Sequence, residues 1–278
     1  MLNLSLIERF DLHVPFYYIN LDRRPDRKKQ FLRWFDNSHI SPIRTPAFDG
    51  QSSDFFEIIH GPIPEDKRHL PSPQLQLADR ARLDIIKSQL GCTCSHLRSI
   101  ETWLKSSESV YGVFSEDDLS FSTLKYWNFN LSDIISAVPN DWDCIQLTSN
   151  SAEQINHLNC LRFLKGDGTK TDLFKIKPWV EGFWSTACYV VKRSYGQFLI
   201  NKMKVGDRYS FATLGYNQYH ADICLYNQGN TYSVNLLTNI ICSSDIVQQS
   251  NCYYELIASK NWWWANFGNK MPLSEFLS

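Results

Sequence analysis

Not one pair of the 8 cysteines in this chain stands in a C-x-x-C arrangement; they are Cys92, Cys94, Cys144, Cys160, Cys188, Cys224, Cys242 and Cys252. That spacing excludes a zinc ribbon and a thioredoxin-type redox motif. Several lie inside apolar stretches, as in Ala187-Cys188-Tyr189-Val190-Val191, which reads as buried free thiols in a reducing compartment. Net charge is equally scarce, at −1 with a sequence pI of about 6.6. Without a basic field, nucleic acid is not an expected partner. No apolar run approaches the ~20 residues of a membrane span, and Met1 to Arg9 lacks the basic and then apolar regions of a secretory signal. The expectation is a cytoplasmic protein, with a peripheral contact at the cytoplasmic membrane face left open. Repeats, low-complexity tracts and linkers are also absent. With 278 residues, 43% of them hydrophobic, the chain is expected to form a single domain over 1–278.

What is abundant is aromatic: 14% of residues, 9 of them Trp. Phe16 to Ile19 reads as a buried strand. Pro25, tolerated in a helix's first turn, opens an amphipathic helix to Phe35. Ile43 to Phe48 is a second short strand closed by Asp49-Gly50. This β-α-β opening predicts an α/β sheet. A Pro-rich loop occupies 51–73, with one helical turn around Phe55-Phe56. Helix is expected over Leu75 to Leu90, ended by Gly91, and again after Ser95 as cap, where Leu97, Ile100 and Leu104 form a stripe. Leu124 to Val138 and Ser194 to Met203 read as helices, Asp143 to Leu147 and Ala187 to Val191 as strands, and Ala221 to Tyr226 as a short helix. In the Trp-rich segment 246–278, Trp262, Trp263 and Trp264 are adjacent. They cannot all face one way, so core packing competes with acceptor stacking and with a partner or membrane contact.

The tripeptide Glu116-Asp117-Asp118 ends the apolar stretch Val110 to Phe114 and precedes Leu119-Ser120-Phe121. Three carboxylates at a strand end repel one another, and burying them unpaired costs roughly several kcal/mol each. A divalent cation removes that cost; hard oxygens suit Mg²⁺ or Mn²⁺, ions that also hold substrate phosphates. The alternative is a solvated acidic turn. Strand alternation places Glu116 and Asp118 on one face and Asp117 on the other. Asn20, Asp22, Arg23, Arg24 and Arg27 follow the first strand's carboxyl end, where open α/β sheets bind ligands. Arginine pairs with phosphate and Asn bonds base or ribose, against the alternative of a charged helix start. Ser95 and His96 would meet an anion at a helix N-terminus, or act as a cap and a packed ring.

Four blocks occur in order: Tyr18-Ile19-Asn20-Leu21-Asp22-Arg23-Arg24-Pro25-Asp26-Arg27, Gly91-Cys92-Thr93-Cys94-Ser95-His96, the Glu116-Asp117-Asp118 strand, and Asp141-Trp142-Asp143 before its strand. Together they resemble glycosyltransferase family 25, which includes lipooligosaccharide galactosyltransferases and procollagen galactosyltransferase domains. Thr186 to Arg193 and Asp222-Ile223-Cys224-Leu225 are similar to later parts of that family. The resemblance implies a GT-A-like α/β fold with a Rossmann-like mixed central sheet flanked by helices. It also implies a UDP-sugar donor, Mn²⁺ (or Mg²⁺), and inversion at the anomeric carbon. Metal ligands are then expected at Asp118, Glu116, Asp222 and His220, with donor contacts also from Asp117. In inverting transfer a carboxylate deprotonates the acceptor hydroxyl. Asp222 is one candidate base, and Glu181, near Trp179 and Trp184, is another. Cys92 and Cys94 are expected to be structural, because sugar transfer needs no thiol. The expected reaction is transfer of a hexose, galactose foremost, to a hydroxyl of a glycan or hydroxylated side chain. The competing expectation is a catalytically silent nucleotide-binding or scaffold protein on the same fold.

Overall fold

The computed structural model describes residues 6–10, 14–61, 78–148, 176–214 and 219–239. Most of the Pro-rich segment beyond residue 61 and the whole Trp-rich segment lie outside them. Strand β1 (Phe16–Asn20) leads through helix α1 (Pro25–Leu32) to β2 (Ile43–Pro46). Helix α2 (Ala78–Ser106) precedes β3 (Tyr111–Glu116) and β4 (Leu119–Ser120). Then come α3 (Leu131–Ala137), β5 (Cys144–Thr148), β6 (Lys177–Pro178), β7 (Cys188–Lys192) and α4 (Arg193–Met203). A small ribbon, β8 (Lys204–Val205) with β9 (Arg208–Tyr209), precedes α5 (Ala221–Tyr226) and β10 (Thr231–Asn239).

Among the described residues the main sheet runs β2-β1-β3-β7-β5-β10-β4, with β6 also on β10. It is mixed. β1 is parallel to β2 and β3, and β5 to β10, while β7 runs antiparallel to both β3 and β5. The expected α/β class and mixed, helix-flanked sheet are what the structure has.

Period-two alternation divides the core between the sheet's two faces. Phe16, Tyr18, Val113, Ile145, Leu147, Cys188 and Val190 join Phe31 and Phe121 on one face. Tyr17, Phe114, Cys144, Tyr189 and Val191 meet Leu97, Ile100 and Trp103 of α2 on the other. Strands β1, β3, β5 and β7 are buried on both faces and so read as largely apolar runs.

Three sequence expectations need correction. Gly91 does not end a helix, and Ser95 does not cap one: α2 is continuous through both. The glycine is there because a Cβ would sit 3.0 Å from the Phe48 carbonyl. The expected helix over Leu124 to Val138 is a 3-10 turn at Ser122–Tyr126 followed by the short α3, whose Asn130 and Asp133 form a reciprocal cap. Strand β10 has no counterpart in the sequence pattern. Its Thr, Ser and Asn residues break the apolar run, and its pairing with β5 supplies what local pattern lacks.

Candidate functional site

The chain passes from β1 to β2 on one side and then to β3 on the other side of β1. That reversal opens a crevice outside the carboxyl ends of β1 and β3, the place where α/β sheets bind ligands. A cleft with about 720 Å³ of empty space, its open mouth included, lies there. Residues after β1 (Asn20, Arg23, Arg27), after β2 (Asp49, Gly50, Gln51), from α2 (Ser88, Cys92, Ser95) and Glu116, Asp117 and Asp118 line it.

Strand β3 ends at Glu116, and Asp117 and Asp118 form the turn into β4. Strand alternation therefore stops one residue early, and the three acids part differently from the expected pattern. Asp117 and Asp118 share Arg27: its Nε lies 3.3 Å from Asp117 Oδ1, and its terminal nitrogen donates to Asp118 Oδ2 at 2.8 Å. Glu116 turns instead to Thr186, whose hydroxyl donates at 2.8 Å, and to His96, whose Nε2 is 3.6 Å away. Asp118 Oδ1 is buried without a hydrogen-bond partner.

Electrostatics follow from this burial. Desolvation pushes the Asp118 carboxyl up to about 7; the Glu116 charge adds to the shift and Arg27 opposes it. Asp117 is also raised by burial, against Arg27 and the Asn20 amide. Burial works against charged Glu116 too, but His96, Thr186 and Arg27 hold its carboxyl below the ordinary 4.5.

The remaining expected donor residues divide. Asn20 is buried and its amide is spent inside the protein: Nδ2 donates to Asp117 Oδ2 at 2.6 Å and to the Arg24 carbonyl at 3.0 Å, while Oδ1 accepts from Arg44 at 2.9 Å. It positions an acid rather than presenting an amide to a base. Arg23 lines the cleft and donates to Asp49 at 2.6 Å. Arg24 grips Asp26 at 3.0 and 2.8 Å. Asp22, with a side chain 80% exposed, pairs with Arg44 at 2.5 Å. Ser95 reaches the cleft from mid-helix, accepting the Phe48 N–H at 2.8 Å and donating to the Gly91 carbonyl at 2.5 Å. The helix-terminus anion role expected of Ser95 and His96 is thereby withdrawn.

The reversed strand β7 brings its leading loop to this same end of the sheet. Ser185 there has φ 147°, a conformation disfavoured for a side-chain-bearing residue. A dense set of bonds holds it. Its N–H donates to Asp222 Oδ1 at 2.5 Å, its carbonyl accepts from Gln146 at 3.0 Å and Tyr226 at 2.9 Å, and its hydroxyl meets Thr148 at 2.9 Å. Asp222 stands in the first turn of α5. Burial raises it to about 6, opposed by the Ser185 N–H and reinforced by the Glu116 charge. His220 precedes it, its ring stacked on Tyr219 at 4.7 Å. Glu181 is exposed, in a turn, and is not among the cleft-lining residues.

The four sequence-derived metal ligands do not close into one shell. Among the described residues, the His, Cys and carboxylate atoms that converge within 4.8 Å in a set of three are those of Cys92, His96 and Glu116. Sequence reasoning sets Cys92 aside as structural. It misses Thr186 and Ser185 as well, since a single hydroxyl before a strand carries no signal.

A family model for glycosyltransferase family 25 (LPS biosynthesis protein) matches residues 13–210. The chain belongs to that family. The matched span holds β1 to β9, the cleft, and every site residue named above except Tyr219, His220, Asp222 and Tyr226. Membership makes glycosyl transfer the general activity and implies a donor and an acceptor. No curated protein matches the chain significantly. Among solved structures, mouse xyloside xylosyltransferase 1 in its apo form is similar at 9% identity, covering 81% of this chain and 76% of that one, with a TM-score of 0.28. No described helix is long and apolar enough to cross a membrane.

Proposed function

We propose that this family 25 protein is a metal-dependent, inverting glycosyltransferase that moves a hexose, galactose foremost, from a UDP-sugar to a hydroxyl of a glycan or hydroxylated side chain. The observation that carries this reading is Asp118: a carboxylate on the cleft at the β1/β3 crevice, with Oδ1 buried and unpartnered. A buried carboxylate oxygen without a donor fits a cation. Mg²⁺-type ions need only one or two protein carboxylates when substrate phosphates supply the rest, so the lack of a closed carboxylate shell suits this role. Asp118 and Glu116 would hold Mn²⁺ or Mg²⁺, and the bound ion would neutralise the departing diphosphate.

The chain's own residues supply the remainder. Arg23 lines the cleft with a part-exposed guanidinium suited to phosphate, while Arg27, also on the cleft, is held by Asp117 and Asp118. Asn20 and Arg27 fix the direction of Asp117 and Asp118. For the base, Asp222 is favoured over Glu181. Its carboxyl, raised to about 6, is anchored by the Ser185 N–H and feels Glu116, and a base poised near neutrality takes a proton well. Neither acid is among the cleft-lining residues; Glu181 stands exposed in a turn, whereas Asp222 is tied through Ser185 to the loop whose Thr186 holds Glu116.

The test is calorimetric titration with UDP, with and without Mn²⁺. Binding that needs Mn²⁺ and disappears in Asp118→Asn, together with loss of transfer by at least about a hundredfold, supports the reading. Full transfer by Asp118→Asn refutes it. One observation favours a silent scaffold instead: Arg27 already pairs with both Asp117 and Asp118 without an ion. UDP binding with no transfer across donors and acceptors would sustain that second reading.

A further inference from the structure

Helical spacing puts Cys92 and His96, four residues apart, on one face of α2. The end of β3 brings Glu116 against that face, and the three ligand atoms lie within 4.8 Å of one another. His96 is 1% exposed, and its Nε2 has no hydrogen-bond partner. That nitrogen lies 3.6 Å from Glu116 Oε1, an ion pair when the ring is protonated. The separation is too long for a hydrogen bond. It is close to the roughly 3.3–3.4 Å between two ligands held about 2.0–2.1 Å from a tetrahedral ion. The other ring nitrogen, Nδ1, meets the Tyr189 hydroxyl at 2.9 Å, an outer contact of the kind that fixes a ligating imidazole. Thr186 anchors Glu116 in the same way.

We propose that Cys92, His96 and Glu116 form a zinc site whose fourth position opens on the cleft. The donor set decides the metal. One sulfur, one imidazole nitrogen and one carboxylate oxygen match Zn²⁺, whereas Mg²⁺ and Mn²⁺ favour oxygen throughout. Three protein ligands with an open position are the pattern of reactive rather than purely structural zinc. Cys92 and Glu116 line the cleft while His96 lies behind them, so the open position faces outward. On binding, the Cys92 thiol gives its proton to water as the Zn–S bond forms. Glu116 cannot serve zinc and a hard ion beside Asp118 fully at once, so the two metals compete for it.

The test uses the full-length chain, stripped with chelator and titrated with Co²⁺ as a spectroscopic stand-in for zinc. It involves no nucleotide or sugar, so its outcome is separate from that of the glycosyl-transfer reading. The expected result is a single equivalent bound, with sulfur-to-cobalt charge transfer in the near ultraviolet and intense tetrahedral visible bands, both displaced by Zn²⁺. Cys92→Ser should abolish the charge transfer. Glu116→Gln should keep it but weaken Co²⁺ binding by at least about tenfold. Zinc should raise the melting temperature of the wild type and not that of Cys92→Ser, with circular dichroism confirming that both are folded. Absence of sulfur-to-cobalt absorption in the wild type overturns the proposal. So does a band that survives in Cys92→Ser, which would trace it to another cysteine.

Discussion

Asp118 carries a standing cost in the folded chain, because its buried Oδ1 faces no donor. The cost has a pH signature. Unfolded, the carboxyl loses its proton near 3.8; folded, it holds it up to about 7. Between those values the folded state binds more protons, so stability falls as pH rises. Asp222, raised to about 6, adds in the same direction. Glu116 runs the other way, but only as pH falls below its ordinary 4.5. The metal-free protein should therefore melt at a lower temperature at about pH 8 than at about pH 5. Asp118→Asn should flatten that slope, and Mn²⁺ should offset it; an equal slope in the variant would trace the pH dependence to other groups. Arg27 is the counterweight. Arg27→Met leaves two buried acids without their cation and should cost about 3–5 kcal/mol by urea unfolding at neutral pH, with part of the loss recovered by Mn²⁺. The acids and Arg27 were each legible in the sequence as parts of a ligand site, but Arg27 was expected to meet phosphate, and its pairing with the acids was not foreseen. Which acid Arg27 takes was not legible, because the strand's last residue is set by pairing with β1 and β7 rather than by the tripeptide.

Helix α2 and the loop after β2 form one working element. The Phe48 N–H donates to Ser95, the Phe48 carbonyl lies where a Cβ on Gly91 would crowd it at 3.0 Å, and a Cβ on Gly50 would stand 2.8 Å from the Lys87 backbone. Backbone cannot yield as a flexible side chain can. Gly50→Ala should push the 49–51 loop away from α2, costing about 1–3 kcal/mol, and should weaken nucleotide binding more than it alters the fold. Calorimetry beside thermal unfolding separates the two effects; unchanged affinity would mean that the loop does not shape the cleft. Gly91 shows why a sequence reading stops short at this element. A glycine past an apolar stripe has the local features of a helix end, and only a neighbouring chain reveals that it marks a close approach instead. Strands β1, β3, β5 and β7 were legible because they are buried on both faces and therefore mostly apolar. The long β10 draws its identity from β5 and left little local trace.

At the scale of the whole molecule, the site joins parts distant along the chain: Asn20 and Arg27 from the beginning, the acids at and just after the end of β3, and Ser185, Thr186 and Asp222 from well beyond. The reversed strand β7 makes this possible by bringing its preceding loop, rather than its end, to the carboxyl ends of β3 and β5. Order of synthesis gives that arrangement a further consequence. β1, β2 and β3 can pair as soon as Glu116 has been made, but the strand that lies against β3's other side begins only at Cys188. Until then Val113 and Phe114 stand along an open, apolar edge, the kind of surface on which chains aggregate. A fragment stopped at Thr148 should be insoluble or chaperone-bound when expressed, and the 278-residue chain should be markedly less so; sedimentation of the two after lysis measures the difference. A ribosome making this protein therefore carries an unsealed β3 edge through roughly seventy residues of elongation, and the strand that completes the site is also the one that makes the nascent chain safe to release.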